Sequence, residues 1–234
     1  SDVEFGADGL LSRMRELLFA AGPGKFTGIV AWRGVIPAVD LPERLLKPVG
    51  VNWVGPGGHV IHYPIRRGEL VNFTSVVERQ DWTAEGWTIP GTNAEYHADY
   101  PGWNEEIHEY ISTIPQPFKW ALIARPPMQQ WVAGRIALLG DACHPSLPFL
   151  AQGAVMALED AYILGRAFDE FDTVDEALAR YQAARIPRTT QADNGANANV
   201  GRFHNPKLAD PAGAQAYVDA QWEPEQEVER YEWV

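Results

Sequence analysis

Hydrophobic and polar positions follow two different periods along the first third of the chain. Apolar residues at positions 10, 11, 14, 17 and 18 repeat at helical spacing, and this predicts a helix that ends at the Gly-Pro-Gly turn at 22–24. The end of a strand is expected just before it, around Val3 and Phe5. Short runs of aromatic and β-branched residues then predict strands joined by turns, and so an antiparallel sheet. These strands cover 26–35, 51–54, 60–65 and 70–77.

The rest of the chain predicts a mixture of helices and buried strands. Residues 81–102 are polar and are interpreted as a loop, and a short helix is expected over about 103–112. Two further apolar runs, at 120–124 and 135–139, predict strands, and the second has the compact composition of a strand buried in an α/β sheet. Two helices are then expected, one beginning near Val155 and one over about 174–198 that is kinked at Pro187.

Charge and cysteine content restrict the class of protein. The chain has 19 Lys and Arg against 31 Asp and Glu, a net charge of −12, which disfavours binding to nucleic acid and to anionic membrane surfaces. Cys143 is the single cysteine, so the sequence excludes a disulfide framework or a cysteine-rich zinc site, and no metal is expected. The longest uncharged runs are broken by Pro, Gly and His, unlike a spanning helix. A reducing cytoplasm is the expected compartment.

The stretch from Arg135 to Ala161 carries the most chemical information. It offers a strand, a carboxylate at the strand's end in Asp141, a proline-rich loop, and Gly153 at the start of a helix. A carboxylate at a strand end can accept hydrogen bonds from ribose or ribitol hydroxyls, and a glycine lets a ligand approach the backbone. The N–H groups at a helix start favour negative charge. The stretch therefore predicts a site for a ligand that is both a polyol and an anion.

This stretch resembles the Gly-Asp motif of the FAD-dependent single-component aromatic hydroxylases, the group that includes salicylate hydroxylase and 6-hydroxynicotinate 3-monooxygenase. The segment from Gly6 to Arg15 resembles the Asp-Gly motif of the same family. The segment at 26–34 resembles the first strand of the family's substrate-binding sheet, and Tyr-Pro-Ile at 63–65 fits that sheet as well. The resemblance extends from Asp2 to about residue 199.

The resemblance implies a fold class and a division into segments. The expected fold is α/β with α+β character: the C-terminal part of an FAD/NAD(P)-binding, Rossmann-like domain together with an antiparallel-sheet substrate domain. Residues 1–25 would be a remnant of the FAD-binding domain, 26–120 the substrate domain, and 121–200 the return to the FAD-binding domain. Residues 201–234 would be an acidic, solvated C-terminal segment; the last 25 residues hold seven acids and one arginine.

The Gly-Asp motif implies one set of FAD-binding residues. Asp141 would bind the ribitol and pyrophosphate region, and Gly140 would permit close approach. The N–H groups of Gly153, Ala154 and Val155 would face the flavin N1–C2=O edge, where a helix N-terminus favours the negative charge of the reduced flavin. Pro148 would shape the loop over the isoalloxazine ring.

The Asp-Gly motif and the sheet imply the remaining site residues. Asp8 and Gly9 would lie near the pyrophosphate and the route of NAD(P)H, and Arg15 would steady their loop. Trp32 and Phe149 are candidates for the substrate pocket, with ordinary core packing as the alternative. Related hydroxylases of the 6-hydroxynicotinate type place His at both of these positions, so the base that activates the phenol stays unidentified.

The resemblance also implies a reaction and partners. NADH or NADPH would reduce FAD, O2 would form a flavin C4a-hydroperoxide, and a small phenolic or hydroxylated N-heteroaromatic acid would be hydroxylated. The protein would supply positioning, a dry pocket and electrostatics. A homodimer is left open. The neighbours Cys143 and His144 are not expected to form a nucleophile and base, and Glu159 with Asp160 is expected to make structural ion pairs.

The Gly-x-Gly-x-x-Gly fingerprint that holds the ADP half of FAD does not occur in this sequence. The chain is therefore expected to be a portion of an enzyme whose first 150 or so residues are missing, an estimate from usual domain sizes. Two alternatives stay open. One is a non-catalytic module that binds aromatic ligands or a partner protein, and the other is a flavin epoxidase or decarboxylating variant.

Overall fold

The chain forms two compact units in the computed structural model, which describes residues 2–82, 86 and 88–222. The first unit contains Ser1–Lys25 and Ile123–Val200, and the second contains Phe26–Leu122 and Gly201–Val234. The expected fold class, α/β with α+β character, is confirmed, because one sheet contains a parallel pair and the other is built from antiparallel pairs. Within the described residues, no helix has both the length and the apolar character needed to cross a membrane.

Nine strands and six α-helices form these units within the described residues. The strands are β1 (Glu4–Gly6), β2 (Lys25–Pro37), β3 (Val51–Gly55), β4 (Gly58–Ile65), β5 (Leu70–Glu78), β6 (Ile89–Pro90), β7 (Phe118–Ala124), β8 (Val132–Ala133) and β9 (Ile136–Leu138). The helices are α1 (Arg13–Phe19), α2 (Asn93–Asp99), α3 (Glu105–Thr113), α4 (Gly153–Glu170), α5 (Val174–Phe203) and α6 (Pro211–Gln221).

A three-stranded sheet in the order β1-β9-β8 organises the first unit. β1 and β9 are parallel, with Phe5 opposite Ala137, so both strands end at the same edge of the sheet. The core of this unit packs against β9: Tyr181 from α5 is fully buried, and its hydroxyl donates to the carbonyl of Leu138 at 3.0 Å. This pairing places the residues after β1 beside the residues after β9, where both sequence motifs lie.

A six-stranded sheet in the order β3-β4-β5-β2-β7-β6 organises the second unit. The pairs β3–β4, β4–β5, β5–β2 and β7–β6 are antiparallel, as the short strands with intervening turns predict. One face carries the apolar core, in which Trp32 and Phe73 from the sheet pack with Tyr96 from α2 and Tyr110 from α3. The buried hydroxyl of Tyr110 donates to the carbonyl of Leu45 at 2.6 Å.

Two helices were not predicted. Part of the segment interpreted as a loop forms α2, which begins after a capping box: the Thr92 hydroxyl accepts from the N–H of Glu95, and the Glu95 carboxylate accepts from the N–H of Thr92. Part of the segment expected to be solvated forms α6, capped by Asp210. The acidic residues of that segment beyond Trp222 lie outside the described residues.

Gly91 gives a test of the second core. A Cβ added at Gly91 would overlap the buried ring of Trp32, which is stacked on Tyr96 and has no room to move. We expect Gly91→Ala to lower the free energy of unfolding by about 1–3 kcal/mol, as overpacking does, in a urea titration. Gly165→Ala in α4 is the control, because nothing lies within 4 Å of its added Cβ and alanine favours a helix. Equal stability of the two variants would contradict this packing.

Candidate functional site

A cleft of about 620 Å³ opens at the edge of the first sheet, where β1 and β9 end and α4 begins. In sheets with parallel strands, the carboxyl ends of the strands are the usual place for ligands. The lining residues are Ala7, Gly9, Leu139, Gly140, Asp141, Ser146, Leu147, Pro148, Ala151, Gly153, Ala154 and Ala157. The cleft therefore brings residues of both sequence motifs together.

Six of the nine residues predicted to bind the cofactor line this cleft. They are Gly9, Gly140, Asp141, Pro148, Gly153 and Ala154. Among the lining residues that were not predicted, Ala157 follows Gly153 by four positions on the same helix. The helical period would have identified it, because residues four apart lie on one face. Asp8, Arg15 and Val155 are outside the lining, and the structure shows what each of them does instead.

The start of α4 faces the cleft with free backbone donors. The helix begins at Gly153, no described side chain caps it from Gln152, and its first turn contains no acid. The first N–H groups of any helix have no partner within the helix and carry partial positive charge. Val155 belongs to this set through its backbone, while its side chain is exposed to solvent. The arrangement suits an anionic or electron-rich ligand edge.

The Gly-Asp loop turns sharply at Gly140. This residue has φ +59, a left-handed conformation that glycine adopts without strain, and it starts a 3-10 turn through Ala142. The turn leaves the carboxylate of Asp141 exposed in the cleft, without a hydrogen bond or ion pair to any residue that the structure describes. Asp141 is thus available to accept hydrogen bonds from a ligand.

A buried carboxylate behind the cleft fixes this loop. Asp160 of α4 is fully buried and accepts the N–H of Gly140 at 2.9 Å. The same side chain contacts His144 Nε2 at 2.6 Å and accepts from Arg185 Nε at 2.7 Å. Burial alone would raise the pKa of Asp160, but the contacts with His144, Arg185 and Gly140 outweigh it, and the pKa is lowered. The carboxylate therefore stays ionised and links the loop to α4 and α5.

The expected ion pairs of the acidic dipeptide in α4 are confirmed. Asp160 pairs with Arg185. The Glu159 carboxylate pairs with Arg185 Nη1 at 2.6 Å and with Arg188 Nη2 at 3.1 Å. Arg185 also donates to the carbonyl of Met156 at 3.1 Å. One guanidinium from α5 thus holds the first half of α4 at three points.

The aspartate of the Asp-Gly motif forms hydrogen bonds with the helix that follows it, α1. The Asp8 carboxylate accepts the backbone N–H groups of Arg13 and Met14 at 2.8 and 3.2 Å, at the start of α1. Burial, the largest single influence, raises the pKa of Asp8, but the hydrogen bonds from Ser12 and these N–H groups together lower it. The Asp8 carboxylate thus satisfies backbone donors at the start of α1, whose N-cap residue is Ser12.

Arg15 contacts the second motif rather than the first. Its buried guanidinium donates to the carbonyls of Ala142 and Cys143, at 3.5 and 3.4 Å, and to that of Pro126 at 3.2 Å. The resemblance implied that it steadies the loop after β1. The structure shows its guanidinium donating to two carbonyls of the loop after β9 as well as to Pro126.

The side chains of Cys143 and His144 do not form a nucleophile and base. Burial raises the pKa of the Cys143 thiol well above its usual range, and its sulfur donates to the carbonyl of Gly140 at 3.4 Å. Cys143, His144 and Asp160 have ligand atoms within 4.8 Å of one another, a spacing that could hold a metal ion. Arg185 already occupies the same carboxylate, and a neutral thiol is a poor ligand, so this donor set does not fit a metal.

Trp32 and Phe149, the two pocket candidates, are both buried. The ring of Trp32 is stacked on Tyr96 with centroids 4.5 Å apart, and its indole N–H donates to Asp99 at 2.7 Å. The carbonyl of Phe149 accepts from Asn199 at 2.9 Å. Core packing accounts for the surroundings of Trp32, and a role for either residue toward substrate stays a prediction.

Comparison with known proteins decides the family. A model of the FAD binding domain matches residues 5–196. The chain belongs to the FAD binding domain family. The match includes every residue that lines the cleft.

Curated relatives of this FAD binding domain chain are named as aromatic monooxygenases. The 3-amino-4-hydroxybenzoate 2-monooxygenase PtmB3 of Streptomyces platensis is 38% identical, over 87% of this chain and 52% of its own length. The 6-hydroxynicotinate 3-monooxygenase of Bordetella bronchiseptica is 37% identical, over 86% of this chain and 53% of its own length. The chain spans about half the length of the curated relatives it matches.

Solved structures share the same fold. A salicylate hydroxylase substrate complex has a TM-score of 0.78 and 27% identity, covering 95% of this chain and 61% of its own. HpxO of Klebsiella pneumoniae, complexed with FAD and uric acid, has a TM-score of 0.81 and 25% identity, covering 97% of this chain and 58% of its own.

The described cleft fits FAD on its own chemistry. A carboxylate without a partner, Asp141, can accept from ribitol hydroxyls, and the start of α4 offers N–H donors to a flavin edge. A Cβ at Gly9 would meet no atom within 4 Å, which leaves room for a ligand against the backbone there. FAD is therefore the cofactor of this family that the cleft can receive.

The buried carboxylate gives a test of how the cleft is held. We expect Asp160→Asn to lower the free energy of unfolding by about 3–5 kcal/mol, because it removes the fully buried carboxylate that pairs with the buried Arg185. Asp169→Asn, an exposed position on the same helix, should change it by less than about 0.5 kcal/mol. Chemical denaturation of both variants measures the difference, and similar values would contradict this role of Asp160.

The same variant should alter the response to acid. Because the folded pKa of Asp160 lies below its usual 3.8, its stabilisation is complete above that pH and is lost as the pH falls below it. Denaturation curves measured between neutral pH and acid should therefore converge for wild type and Asp160→Asn at the acid end. A gap that persists there would show that the ionised carboxylate is not the cause.

Proposed function

We propose that this chain is the part of an FAD-dependent aromatic monooxygenase that holds the flavin side of the cofactor. The observation that carries the proposal is the convergence of the two flavin motifs on one cleft: Gly9 comes from the first, and Asp141 from the second. The start of α4 at Gly153 completes the same wall. The substrate is a small phenolic or hydroxylated N-heteroaromatic acid, and O2 and NADH or NADPH are co-substrates.

In this proposal the chain's own residues position the cofactor and do no redox chemistry themselves. Bound FAD, once reduced by the nicotinamide nucleotide, supplies the activation of oxygen. Asp141 accepts hydrogen bonds from the ribitol hydroxyls, and Gly140 lets the chain pass close to the ligand. The N–H groups of Gly153, Ala154 and Val155 stabilise the negative charge that develops at the pyrimidine edge of the flavin. Pro148, exposed at the cleft, limits the loop's movement.

The rigidity of the loop is the part of this proposal that the contacts support most strongly. Donors aimed at developing charge help only if they are held in place before the reaction. Asp160 accepts the N–H of Gly140, and Arg15 donates to the carbonyls of Ala142 and Cys143 in the same loop. The loop that presents Asp141 is therefore fixed before a ligand enters.

The substrate class rests on the relatives and on the second sheet. The relatives' names specify aromatic acids that carry a hydroxyl, namely 3-amino-4-hydroxybenzoate and 6-hydroxynicotinate. The sheet face opposite the core exposes Val35, Ile61 and Tyr63, each more than a third accessible. Arg33 lies on that face as well, with its Nε donating to Asn72 at 3.1 Å. An apolar face with one guanidinium suits an aromatic carboxylate.

Asp141 provides the direct test of cofactor binding. We expect Asp141→Asn to weaken FAD binding by about ten- to hundredfold, because hydrogen bonds to an ionised acceptor are replaced by bonds to a neutral amide. Titration of the chain with FAD, followed by flavin fluorescence, measures the affinity. Asp169→Asn on the outside of α4 is the matched control for charge. Equal FAD affinity in all three proteins would overturn the assignment of Asp141.

Turnover tests the activity. We expect the chain, expressed together with the coding segment upstream of Ser1, to oxidise NADH or NADPH only when a hydroxylated aromatic acid is present, and to add one oxygen atom to the ring. A panel of hydroxybenzoates and hydroxypyridine carboxylates, with product analysis, gives the readout. Binding of the aromatic acid without nucleotide oxidation would favour the non-catalytic module. Loss of the carboxyl group, or epoxide formation, would favour the variant chemistries.

A further inference from the structure

Two histidines on neighbouring helices of the second unit face each other. His97 lies in the last turn of α2 and His108 in the middle of α3, and their Nδ1 atoms are 2.8 Å apart. The rings are 25° from parallel, with centroids 5.1 Å apart. Both side chains are half-buried, so the pair is set by packing yet reachable from solvent.

The hydrogen bonds around this pair determine which ring nitrogens carry a proton. The Ser112 hydroxyl donates to the carbonyl of His108 at 2.8 Å, so its oxygen must accept from His97 Nε2, which lies 3.1 Å away. The neutral His97 ring therefore has a lone pair on Nδ1, which accepts from His108 Nδ1. His108 Nε2, which has no partner among the described residues, is then the free nitrogen.

Burial, and then the neighbouring His108, lower the pKa of His97. Only one proton fits between the two Nδ1 atoms, since two facing N–H groups would repel each other. One shared proton leaves one Nδ1 lone pair between the rings, and a lone pair on neutral imidazole is what binds a metal.

We propose that His97 and His108 form a site for a divalent late transition metal, with Cu(II) as the preferred ion, that bridges α2 and α3. Two nitrogens each about 2.0 Å from a metal and at right angles to each other lie about 2.8 Å apart. The observed separation therefore already matches the bite of a tetragonal metal. The two Nδ1 atoms point at each other, because the ring centroids are 5.1 Å apart, so each ring turns by about 45° to direct its lone pair at one ion. The His108 proton moves through solvent to its free Nε2.

The surroundings support a metal rather than a simple hydrogen bond. Ser112 holds the outer nitrogen of His97, as second partners of metal-binding histidines do. An open groove beside His108 is also lined by Glu105, whose exposed carboxylate has no partner among the described residues. The groove leaves room for water to complete the coordination. A chain with a net charge of −12 also favours cations near its surface.

The other histidines do not compete for the ion. The chain has six, and the remaining four, His59, His62, His144 and His204, are each less than a tenth exposed. The single thiol, Cys143, is buried as well. An ion added at one equivalent therefore finds two accessible imidazoles on this chain, and they are adjacent.

Titration with Cu(II) tests the proposal. We expect one Cu(II) per chain, an electron paramagnetic resonance spectrum with hyperfine splitting from two nitrogens, and a rise in Tm that Mg(II) does not produce. His97→Asn and His108→Asn should each weaken binding at least about tenfold and remove the two-nitrogen pattern, because chelation is lost.

The hydroxyl that orients His97 gives a finer test. Ser112→Ala should weaken Cu(II) binding about tenfold. Thr113→Ala removes the neighbouring hydroxyl, which donates only to the carbonyl of Glu109, and should leave binding unchanged.

Three results would overturn the site. They are a spectrum from one nitrogen or none in the wild-type chain, binding that survives both histidine substitutions, and equal effects of Ser112→Ala and Thr113→Ala. The wild-type spectrum decides the matter even if a histidine variant folds poorly.

Discussion

The buried carboxylate of Asp160 is the interaction on which the candidate site depends. An ionised group with no exposed surface is costly unless several donors surround it, and here three do: the N–H of Gly140, His144 and Arg185. Those donors come from the loop after β9 and from α5, whereas Asp160 itself belongs to α4. One charge therefore ties together the three elements that must keep their positions if the cleft is to stay formed.

This constraint explains why a strained-looking loop can be well defined. The left-handed turn at Gly140 directs its own N–H inward to Asp160 and the next side chain, Asp141, outward to the cleft. Arg15 from α1 binds carbonyls of the same loop. The first motif thus supports the second mechanically, through Arg15, as well as lining the cleft through Gly9. The same set of contacts therefore stabilises the fold and determines the shape of the site.

The features that could be predicted from the sequence are those that local residue patterns and motifs determine. The apolar run before Gly140 identified β9, turn residues identified the strands of the second sheet, and both motifs were placed on the wall of one cleft. The helix α2 was missed although Thr92 and Glu95 form a capping box, because aromatic and polar residues around it obscured the apolar period. The ion pair of Asp160 with Arg185, which are 25 positions apart, was expected. The hydrogen bond that Asp160 also accepts from the N–H of Gly140 depends on tertiary packing and was not predicted. The burial of Trp32 similarly follows from helices that cover its face of the sheet.

Three aspartates of the motifs show why geometry separates structural from functional acids. One carboxylate oxygen of Asp8 accepts from the backbone of α1, and Asp160 is surrounded by its buried donors, so both acids already make structural hydrogen bonds. Asp141 lies in the cleft and has no partner among the described residues, although Asp160 and Arg15 hold the loop that carries it. The chain is acidic, and this carboxylate lies beside a helix N-terminus. The ligand that binds best there donates hydroxyl hydrogen bonds to the carboxylate and directs its own negative charge at the helix N-terminus. A ribitol chain joined to a flavin edge has both properties, which is why Asp141, rather than Asp8, is the acid on which cofactor affinity should depend.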